Sequence, residues 1–291
     1  MQGNYLLGKV ACAIFLTVSS IPKIIHYCWF GGKPLPEAAR RCMASWRKYC
    51  PDYEIREWNE ANYDVSRCGY MHDASKAGKW AFVSDYARID VLYQYGGVYL
   101  DTDVELLKPL DAFLHYPLFC GWEKNDGKPL YGSWTEEQMH YAVNYGLGVG
   151  AVPGHPVLRD LMELYQGLSF YLPDGSMNLV PCPVYQTRVM QRYGLDATQA
   201  TLQQNEHFAA FPPEYFAPKS YHTGLIERTQ STVSIHHFSM SWKSRREKQE
   251  YFFYSRLARF MPQDKAREWV KKQFARYDYW LWRIKKIFGI K

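Results

Sequence analysis

The sequence lacks the cysteine pattern of a disulfide-stapled protein. Its 291 residues include seven cysteines, an odd number, and no two of them stand in C-x-x-C spacing. A disulfide framework needs paired cysteines, so these are expected to stay reduced, as cysteines do in the cytoplasm. Five of them are interpreted as small residues that pack in the core: Cys28, Cys42, Cys50, Cys68 and Cys182.

Internal repeats and low-complexity segments are absent, and long apolar runs are scarce. Residues 10–18 are apolar and follow Lys9, which faintly resembles a signal peptide. This run is shorter than the roughly 20 residues that a membrane-spanning helix needs. Because a core strand is predicted only a few residues later, residues 1–20 are interpreted as an N-terminal extension, with an uncertain start site and a peripheral helix as the alternatives. No other segment is predicted to span a membrane.

Excess positive charge is confined to the C-terminal end. The formal net charge is +6, and residues 265–291 carry nine Lys or Arg against Glu268 and Asp278, which gives +7. A basic, aromatic-rich amphipathic helix is typical of contact with an anionic membrane surface. A terminal helix docked on the domain is the alternative. No nucleic-acid-binding motif accompanies the charge, so no nucleic-acid partner is predicted. Apolar residues recur at helical spacing in this segment: Val270, Phe274, Tyr277, Leu281, Ile284 and Phe288.

Hydrophobic periodicity predicts an α/β fold. The predicted strands and helices alternate up to an apolar strand around Val98, and this order favours parallel strands. Ligands bind such sheets at the carboxyl ends of the strands. The predicted elements are a strand at 23–29, a helix at 36–49, a strand at 53–58, a helix at 78–95, a loop over the site at 121–145, a strand at 145–152, a helix at 155–165 and irregular structure at 167–235.

Two carboxylates follow the apolar strand. Asp101 and Asp103 come directly after Gly96-Gly97-Val98-Tyr99-Leu100. In an extended strand, residues i and i+2 point to the same side, so both carboxylates are expected to face one small volume, with Tyr99 lining it. Like charges so close repel each other unless a cation joins them, and Mg²⁺ or Mn²⁺ takes oxygen ligands that it shares with phosphate. The pair therefore predicts a metal that holds a diphosphate, although a solvated turn also produces this pattern.

The helix before this pair carries a polar stripe. Ser84, Asp85 and Arg88 lie at helical spacing, and Asp85 and Arg88 can touch across one turn. A surface ion pair would explain them equally well. Since the helix leads straight into the Gly-Gly turn, its charges are expected to lie beside the proposed metal.

Together these residues resemble the DXD sugar-binding region of the family 32 glycosyltransferases. That family is similar to yeast initiating mannosyltransferases, bacterial capsular-polysaccharide transferases and the glucosylating domains of large clostridial toxins. The resemblance covers residues 21–245 and implies a GT-A nucleotide-sugar transferase fold. It predicts a mixed, mostly parallel sheet flanked by helices. Residues 246–291 then form a C-terminal basic amphipathic helical tail that associates with a membrane. The segments that carry the family resemblance are 21–32, 45–46, 51–59, 80–103, 148–156 and 235–242.

The resemblance also implies residue roles. Asp103 is the metal ligand, Asp101 contacts ribose or the metal through water, and Asp85 and Arg88 contact the hydroxyls of the donor sugar. His237 completes the metal shell, with His236 as the alternative because neighbours on a strand face opposite sides. The remaining predicted donor contacts are Trp29 beside the nucleobase, Ser84, Tyr99, and Ser241, Trp242 and Lys243 over the diphosphate.

These roles imply a metal-dependent retaining glycosyltransferase. Mn²⁺ or Mg²⁺ is the expected cofactor, and Asp101, Asp103, Asp85 and Arg88 are the expected catalytic set. The donor is a UDP-hexose, a UDP-N-acetylhexosamine or GDP-mannose, and the acceptor is a glycan or lipid-linked glycan. With the basic tail, this predicts capsule, exopolysaccharide or O-antigen synthesis on the cytoplasmic face of the cell membrane.

Two other functions fit parts of the sequence. Residues 100–104 satisfy the D-x-D-x-[TV] signature of haloacid-dehalogenase-type phosphatases, in which Asp101 would be the nucleophile. That signature normally sits on the first core strand, whereas two strands and two helices precede it here. A non-catalytic sugar- or membrane-binding protein that kept the fold is the second alternative, and the intact charged residues argue against it.

Overall fold

The computed structural model describes residues 20–126, 139–240 and 243–288. The predicted N-terminal extension, apart from its last residue, therefore lies outside the described residues. So do Ser241 and Trp242 of the predicted donor site and part of the predicted loop at 121–145. The division into an extension, a catalytic domain and a tail stays a prediction.

The described residues form nine strands and eight helices. Up to the Asp pair, the predicted strands and helices lie within two residues of their predicted bounds, but α2 was not predicted. Their order is β1 Ile24–Cys28, α1 Glu37–Tyr49, β2 Glu54–Trp58, α2 Gly69–Lys76, α3 Trp80–Tyr95, β3 Gly97–Tyr99, β4 Val104–Leu106, β5 Leu118–Gly121, β6 Val149–Ala151, α4 Pro156–Gln166, α5 Cys182–Gln191, β7 Gln203–Gln204, β8 Ala209–Phe211, α6 Pro213–Phe216, β9 Ser234–His236, α7 Arg245–Leu257 and α8 Gln263–Phe288.

Two predictions beyond the Asp pair were wrong in part. The strand expected at 145–152 is shorter, because residues 145–147 form a 3₁₀ turn before β6 begins. The irregular segment expected at 167–235 contains α5, α6, β7, β8 and the start of β9. In α5, eight of ten residues are buried. A helix buried on nearly every side has no polar face, so the periodicity that reveals a surface helix is missing from its sequence.

Seven strands form one sheet in the order β2-β1-β3-β6-β5-β8-β7. β1 pairs in parallel with β2 and β3, and β5 pairs in parallel with β8. β6 and β7 run against their neighbours, so five of the seven strands share one direction. The predicted mixed, mostly parallel sheet flanked by helices is confirmed.

The core lies on both faces of this sheet. Successive residues of β3 enter different clusters, because side chains alternate along a strand. Val98 packs with α1 residues on one face, and Tyr99 packs with α2, α3 and α4 residues on the other. The helix α3 is buried on several sides between α2, α4 and β1, so it brings Asp85 and Arg88 into the interior.

The turn between α3 and β3 requires glycine. Gly96 and Gly97 both have positive φ angles, of 63° and 101°. A Cβ atom on Gly97 would lie 2.7 Å from the carbonyl oxygen of Ile24. Because real Cβ atoms do not approach this closely, only glycine lets β3 lie so near β1. This turn therefore sets the position from which the chain leads through β3 to Asp101 and Asp103.

His26 of β1 is buried beneath this turn as a neutral imidazole. Its Nε2 lies 2.8 Å from the carbonyl oxygen of Gly96, and its Nδ1 accepts from the indole N–H of Trp58 at 3.0 Å. A carbonyl only accepts and an indole only donates, so Nε2 carries the proton. Burial lowers the pKa of His26 to about 4. The side chain thus packs in the core and stays uncharged near neutral pH.

We expect the buried imidazole of His26 to make folding sensitive to acid. The unfolded chain binds a proton on this residue near pH 6.5, but the folded chain resists it until about pH 4. The free energy of unfolding therefore falls as the pH drops from 6.5 towards 4, by about 3 kcal/mol for this group. Denaturant unfolding at a series of pH values measures the loss.

Two variants isolate this contribution. His26→Gln should flatten the pH dependence, while the exposed His115→Gln should leave it as in the wild type. His155 is also buried with its pKa lowered to about 4, so part of the slope persists in every variant. An unchanged slope in His26→Gln would contradict the assignment.

Candidate active site

Asp101 and Asp103 lie in a tight turn rather than on an extended strand. β3 ends at Tyr99, and the N–H of Val104 donates to the carbonyl oxygen of Asp101 at 2.9 Å to close the turn into β4. The sequence interpretation relied on the alternation of side chains along a strand, which does not apply here. The two carboxylates still converge, because the turn folds them towards one another.

The short sheet made by β4 and β9 brings a histidine to this turn. Its antiparallel register pairs Val104 with His236, so the imidazole lies beside the residue that precedes Val104. Nε2 of His236 is 3.1 Å from Oδ1 of Asp103 and 3.8 Å from Oδ2 of Asp101. Among the described residues, these three side chains offer ligand atoms that all lie within 4.8 Å of one another. We call them the metal-ligand cluster.

His237 lies on the other side of the strand. Its Nε2 is 2.8 Å from Oε2 of Glu105, and only its backbone N–H contacts the turn, donating to the carbonyl oxygen of Asp103 at 3.0 Å. The structure therefore brings His236, the alternative of the sequence analysis, to the carboxylates. The alternation of side chains along β9 is the physical reason.

The metal-ligand cluster holds its charges close together. Burial opposes ionisation of Asp103, but His236 and the N–H of Ser239, at 2.6 Å from Oδ2, hold the pKa of Asp103 below its usual range. Burial also opposes the charge of His236, yet Asp103 and Asp101 raise its pKa. The ring of Phe238 packs edge-on against the imidazole at a centroid distance of 4.4 Å and fixes its plane.

A second buried charge network adjoins the cluster. Arg88 contacts Asp85 at 3.0 Å and Asp101 at 3.4 Å, and its guanidinium lies over the ring of Tyr99 at 4.9 Å. The hydroxyl of Tyr99 donates to Oδ1 of Asp101 at 3.0 Å. Burial raises the pKa of Asp85, partly offset by Arg88. Asp101 thus joins the arginine network to the metal-ligand cluster, and α3 supplies charge to the same site.

The structure joins the other predicted donor-binding residues to partners outside the metal-ligand cluster. Trp29 is half-buried against the core, and its indole N–H donates to the carbonyl oxygen of Lys33. The hydroxyl of Ser84 donates back to the carbonyl oxygen of Trp80 within α3, at 3.0 Å. The amine of Lys243 donates to the hydroxyl of Tyr221 at 3.0 Å. Ser241 and Trp242 lie outside the described residues.

Three residues at the site were missed by sequence reasoning. A Cβ atom on Gly146 would lie 2.4 Å from Oδ2 of Asp101, so this glycine lets the backbone cradle the carboxylate. The N–H of Ser239 contacts Asp103, and the amine of Lys219 donates to the carbonyl oxygen of His237 at 2.6 Å. Gly146 and Ser239 reach the Asp pair from distant parts of the chain, and Lys219 reaches the residue after His236, so no local pattern reveals these contacts.

The donor set fits a divalent metal ion. Two carboxylates and one imidazole supply oxygen and nitrogen ligands at one end of the sheet, as Mn²⁺ accepts. A ligand imidazole must be neutral, and the proton on Nε2 of His236 sits where a cation would lie between the carboxylates. The cluster thus has both the ligands and the unbalanced negative charge that a divalent ion would neutralise.

Comparison with known proteins finds a family whose sugar-binding region part of this chain resembles. Residues 36–119 match the family described as "Glycosyltransferase sugar-binding region containing DXD motif". This part of the chain is similar to that family, and the match covers less than a third of the 291 residues. The matched region runs from the start of α1 through the arginine network and the Asp turn to β5, so it contains most of the charged site. The family implies a divalent metal, and the predicted GT-A architecture agrees with the mixed sheet.

Two curated relatives are similar in sequence to about half of this chain. Inositol phosphoceramide mannosyltransferase 3 of Schizosaccharomyces pombe (strain 972 / ATCC 24843) is 34% identical over 149 residues, which are 50% of this chain and 37% of that protein. The initiation-specific alpha-1,6-mannosyltransferase of Candida albicans (strain SC5314 / ATCC MYA-2876) is 25% identical over 162 residues, 48% of this chain and 41% of the relative. The chain thus spans less than half the length of these two relatives.

One solved structure shows a partial likeness. The PaToxG glycosyltransferase aligns with a TM-score of 0.43 at 16% sequence identity, over 60% of this chain and 71% of that protein.

The two adjacent histidines allow a direct test of the cluster. We expect His236→Ala to weaken Mn²⁺ binding by roughly tenfold or more, since it removes an atom that faces both carboxylates. His237→Ala should have a smaller effect, because its ring faces Glu105 instead. Titration of Mn²⁺ followed by electron paramagnetic resonance measures both affinities. Equal losses, or a greater loss in His237→Ala, would contradict the assignment.

Proposed function

We propose that this protein transfers a hexose from a nucleotide-sugar donor to a glycan or glycolipid acceptor in a metal-dependent reaction. The observation that carries the proposal is the metal-ligand cluster of Asp101, Asp103 and His236, joined through Asp101 to the buried pair of Arg88 and Asp85. Two adjacent charged groups of this kind suit the two ends of a nucleotide-sugar, the diphosphate and the hexose.

The protein residues would act chiefly by position. A divalent ion bound by the cluster would neutralise the charge that develops on the departing diphosphate. Asp85 and Arg88, held rigid inside α3, would bind the sugar hydroxyls and orient the anomeric carbon. Because both side chains are buried and paired, they are fixed before the substrate arrives, and such preorganisation lowers the barrier.

The engagement of the nearby carboxylates supports retention by front-face attack. Asp85 is paired with Arg88, Asp101 is held by Arg88 and Tyr99, and Asp103 accepts from Ser239. Glu123, a further buried carboxylate near His236, accepts from the amide of Asn144 at 3.3 Å. Each of these four carboxylates therefore has a binding partner already and is poorly disposed to act as a nucleophile. An acceptor hydroxyl that gives its proton to the leaving phosphate would need none of them.

The names of the relatives favour mannose as the sugar. Both the fission yeast and the Candida relatives are named mannosyltransferases, so GDP-mannose is our first donor candidate, with UDP-hexoses and UDP-N-acetylhexosamines as the alternatives. Mn²⁺ is the first metal candidate, because an imidazole among the ligands suits it better than Mg²⁺. The fission yeast name also includes a glycolipid, which fits an acceptor carried by a lipid.

The surface of α7 and α8 suits an anionic membrane. The two helices pack on each other through Tyr254, Ala266 and Val270, which leaves other aromatic side chains on the outside. Lys and Arg alternate with them, and this composition binds the interface of anionic bilayers. No described helix is long and apolar enough to cross a membrane. The exposed aromatic residues are Phe252, Phe253, Phe260, Trp269, Tyr277, Tyr279 and Trp280.

We propose that the acceptor is linked to a lipid and that the reaction takes place at a membrane surface. A peripheral enzyme on the cytoplasmic face of the cell membrane would meet nucleotide-sugars on one side and a lipid-linked glycan on the other. Capsule, exopolysaccharide or O-antigen assembly, proposed from the sequence, uses such acceptors. Glycolipid mannosylation, suggested by the fission yeast relative, would use the same arrangement.

We expect Mn²⁺-dependent hydrolysis of one nucleotide-sugar in a panel of GDP-mannose, UDP-glucose, UDP-galactose and UDP-N-acetylglucosamine. Asp103→Ala should reduce it by roughly 10³-fold or more, because several kcal/mol of charge stabilisation depend on the cluster. Release of the nucleoside diphosphate measures the rate. The exposed Asp264→Ala serves as the matched control and should retain the wild-type rate.

Three results would contradict the transferase proposal. They are the absence of hydrolysis across the panel, hydrolysis that persists in excess EDTA, and an unchanged rate in Asp103→Ala. Release of inorganic phosphate from a simple phosphomonoester, lost in Asp101→Asn, would indicate the phosphatase instead.

The membrane proposal predicts partition onto anionic vesicles. Phe260 is 87% exposed and Trp280 is 66% exposed, so their combined change to Ser should lower partition by about tenfold or more without disturbing the core. Tyr171→Ser with Leu172→Ser removes exposed apolar surface elsewhere and should have little effect. Cosedimentation with phosphatidylcholine vesicles containing phosphatidylserine measures both. Equal binding to uncharged vesicles, or no difference between the pairs, would contradict the proposal.

A further inference from the structure

A cavity of about 340 Å³ lies between α7 and the segment that follows β9. Cavities that bind ligands in proteins commonly have volumes of about 300 Å³ or more. It is lined by Lys219, Ser239 and Met240 on one side and by α7 residues on the other, among them Lys248, Tyr251 and Arg256. Arg259, two residues beyond the end of α7, completes the basic part of the lining.

The lining of this cavity is strongly basic. Four of the ten described lining residues are Lys or Arg, and none is acidic. In the described part of the chain, Lys248, Arg256 and Arg259 form no ion pair within 4.0 Å. The guanidinium of Arg256 lies over the ring of Phe252 at 3.9 Å, which orients it without cancelling its charge. Four cations around one concave space repel each other unless an anion joins them.

Two residues connect the cavity to the metal-ligand cluster and its neighbouring strand. Ser239 lines the cavity, and its backbone N–H donates to Oδ2 of Asp103 at 2.6 Å. Lys219 also links the two, since its amine donates to the carbonyl oxygen of His237 at 2.6 Å while it lines the same space. A molecule held in the cavity would therefore lie next to the reacting groups without occupying the cluster itself.

We propose that this cavity is a phosphate-binding subsite for the acceptor, which would therefore be a phosphomonoester or phosphodiester. The assignment rests on the proposed transferase function. Lys and Arg side chains bind phosphate by charge-assisted hydrogen bonds. The exposed Phe252 of α7 lines the cavity, so a phosphate held there lies beside the proposed membrane surface. This arrangement suits a lipid headgroup, and a water-soluble phosphorylated glycan offers the same chemistry.

Binding of inorganic phosphate in EDTA tests the subsite. EDTA removes any divalent ion, so phosphate bound through the metal-ligand cluster does not contribute. Titration calorimetry should detect binding to the wild type and at least a tenfold weakening in Lys248→Gln/Arg256→Gln. The matched control, Lys76→Gln/Arg192→Gln, removes the same charge from residues outside the cavity and should bind as the wild type does. No binding to the wild type, or equal weakening in both pairs, overturns the inference.

Competition between vesicles and inorganic phosphate distinguishes a lipid headgroup from a soluble acceptor as the source of the phosphate. Phosphatidylcholine vesicles that contain phosphatidylinositol should compete with inorganic phosphate, whereas phosphatidylcholine alone should compete much less. Competition identifies a lipid headgroup, and its absence with intact phosphate binding identifies a soluble acceptor; either result upholds the subsite.

Hydrolysis of the donor by the wild type is measured in parallel. Hydrolysis without phosphate binding overturns this inference alone. Phosphate binding without hydrolysis overturns the proposed function and, with it, the assignment of the phosphate to an acceptor.

Discussion

The pairing of β4 with β9 is the interaction on which the site depends. Its register sets Val104 against His236, and these residues are 132 positions apart in the chain. Closing so long a loop costs conformational entropy, although the cost grows only slowly with length. Burial of both strands in the core and the contacts of His236 with the two carboxylates offset that cost. Without this pairing, Asp101 and Asp103 would form an ordinary acidic turn.

The sequence predicts well where local patterns decide the structure. The strands and helices predicted before Asp101 follow hydrophobic periodicity, and Gly96-Gly97 marks a real turn with positive φ angles. The largely buried α5 was not predicted, because its neighbours cover most of its sides and its apolar pattern does not alternate with polar residues. Choosing His236 over His237 required the register of β9 against β4, which depends on pairing between distant segments. Spacing along the chain cannot supply that information.

The buried pair of Asp85 and Arg88 has no evident value for stability. Two charges inside a protein lose their hydration, and apolar residues of similar volume are often as stable or more stable there. Arg88 of this pair also contacts Asp101, so three charged side chains lie together next to the core. Fixed charges beside a candidate metal-ligand cluster are what electrostatic catalysis requires. Their position therefore argues for a reaction at this end of the sheet more strongly than the Asp pair alone.

The segment after β9 shows how the two halves of the site are coupled. Phe238 and Met240 have positive φ angles of 53° and 47°, and such residues cost about 1 kcal/mol or more each. In this conformation Phe238 packs on the imidazole of His236, Ser239 turns its N–H to Asp103, and Met240 lines the basic cavity. A relaxed backbone would lose at least one of these contacts. Any ligand that moves this segment would therefore act on the metal-ligand cluster and on the basic cavity together.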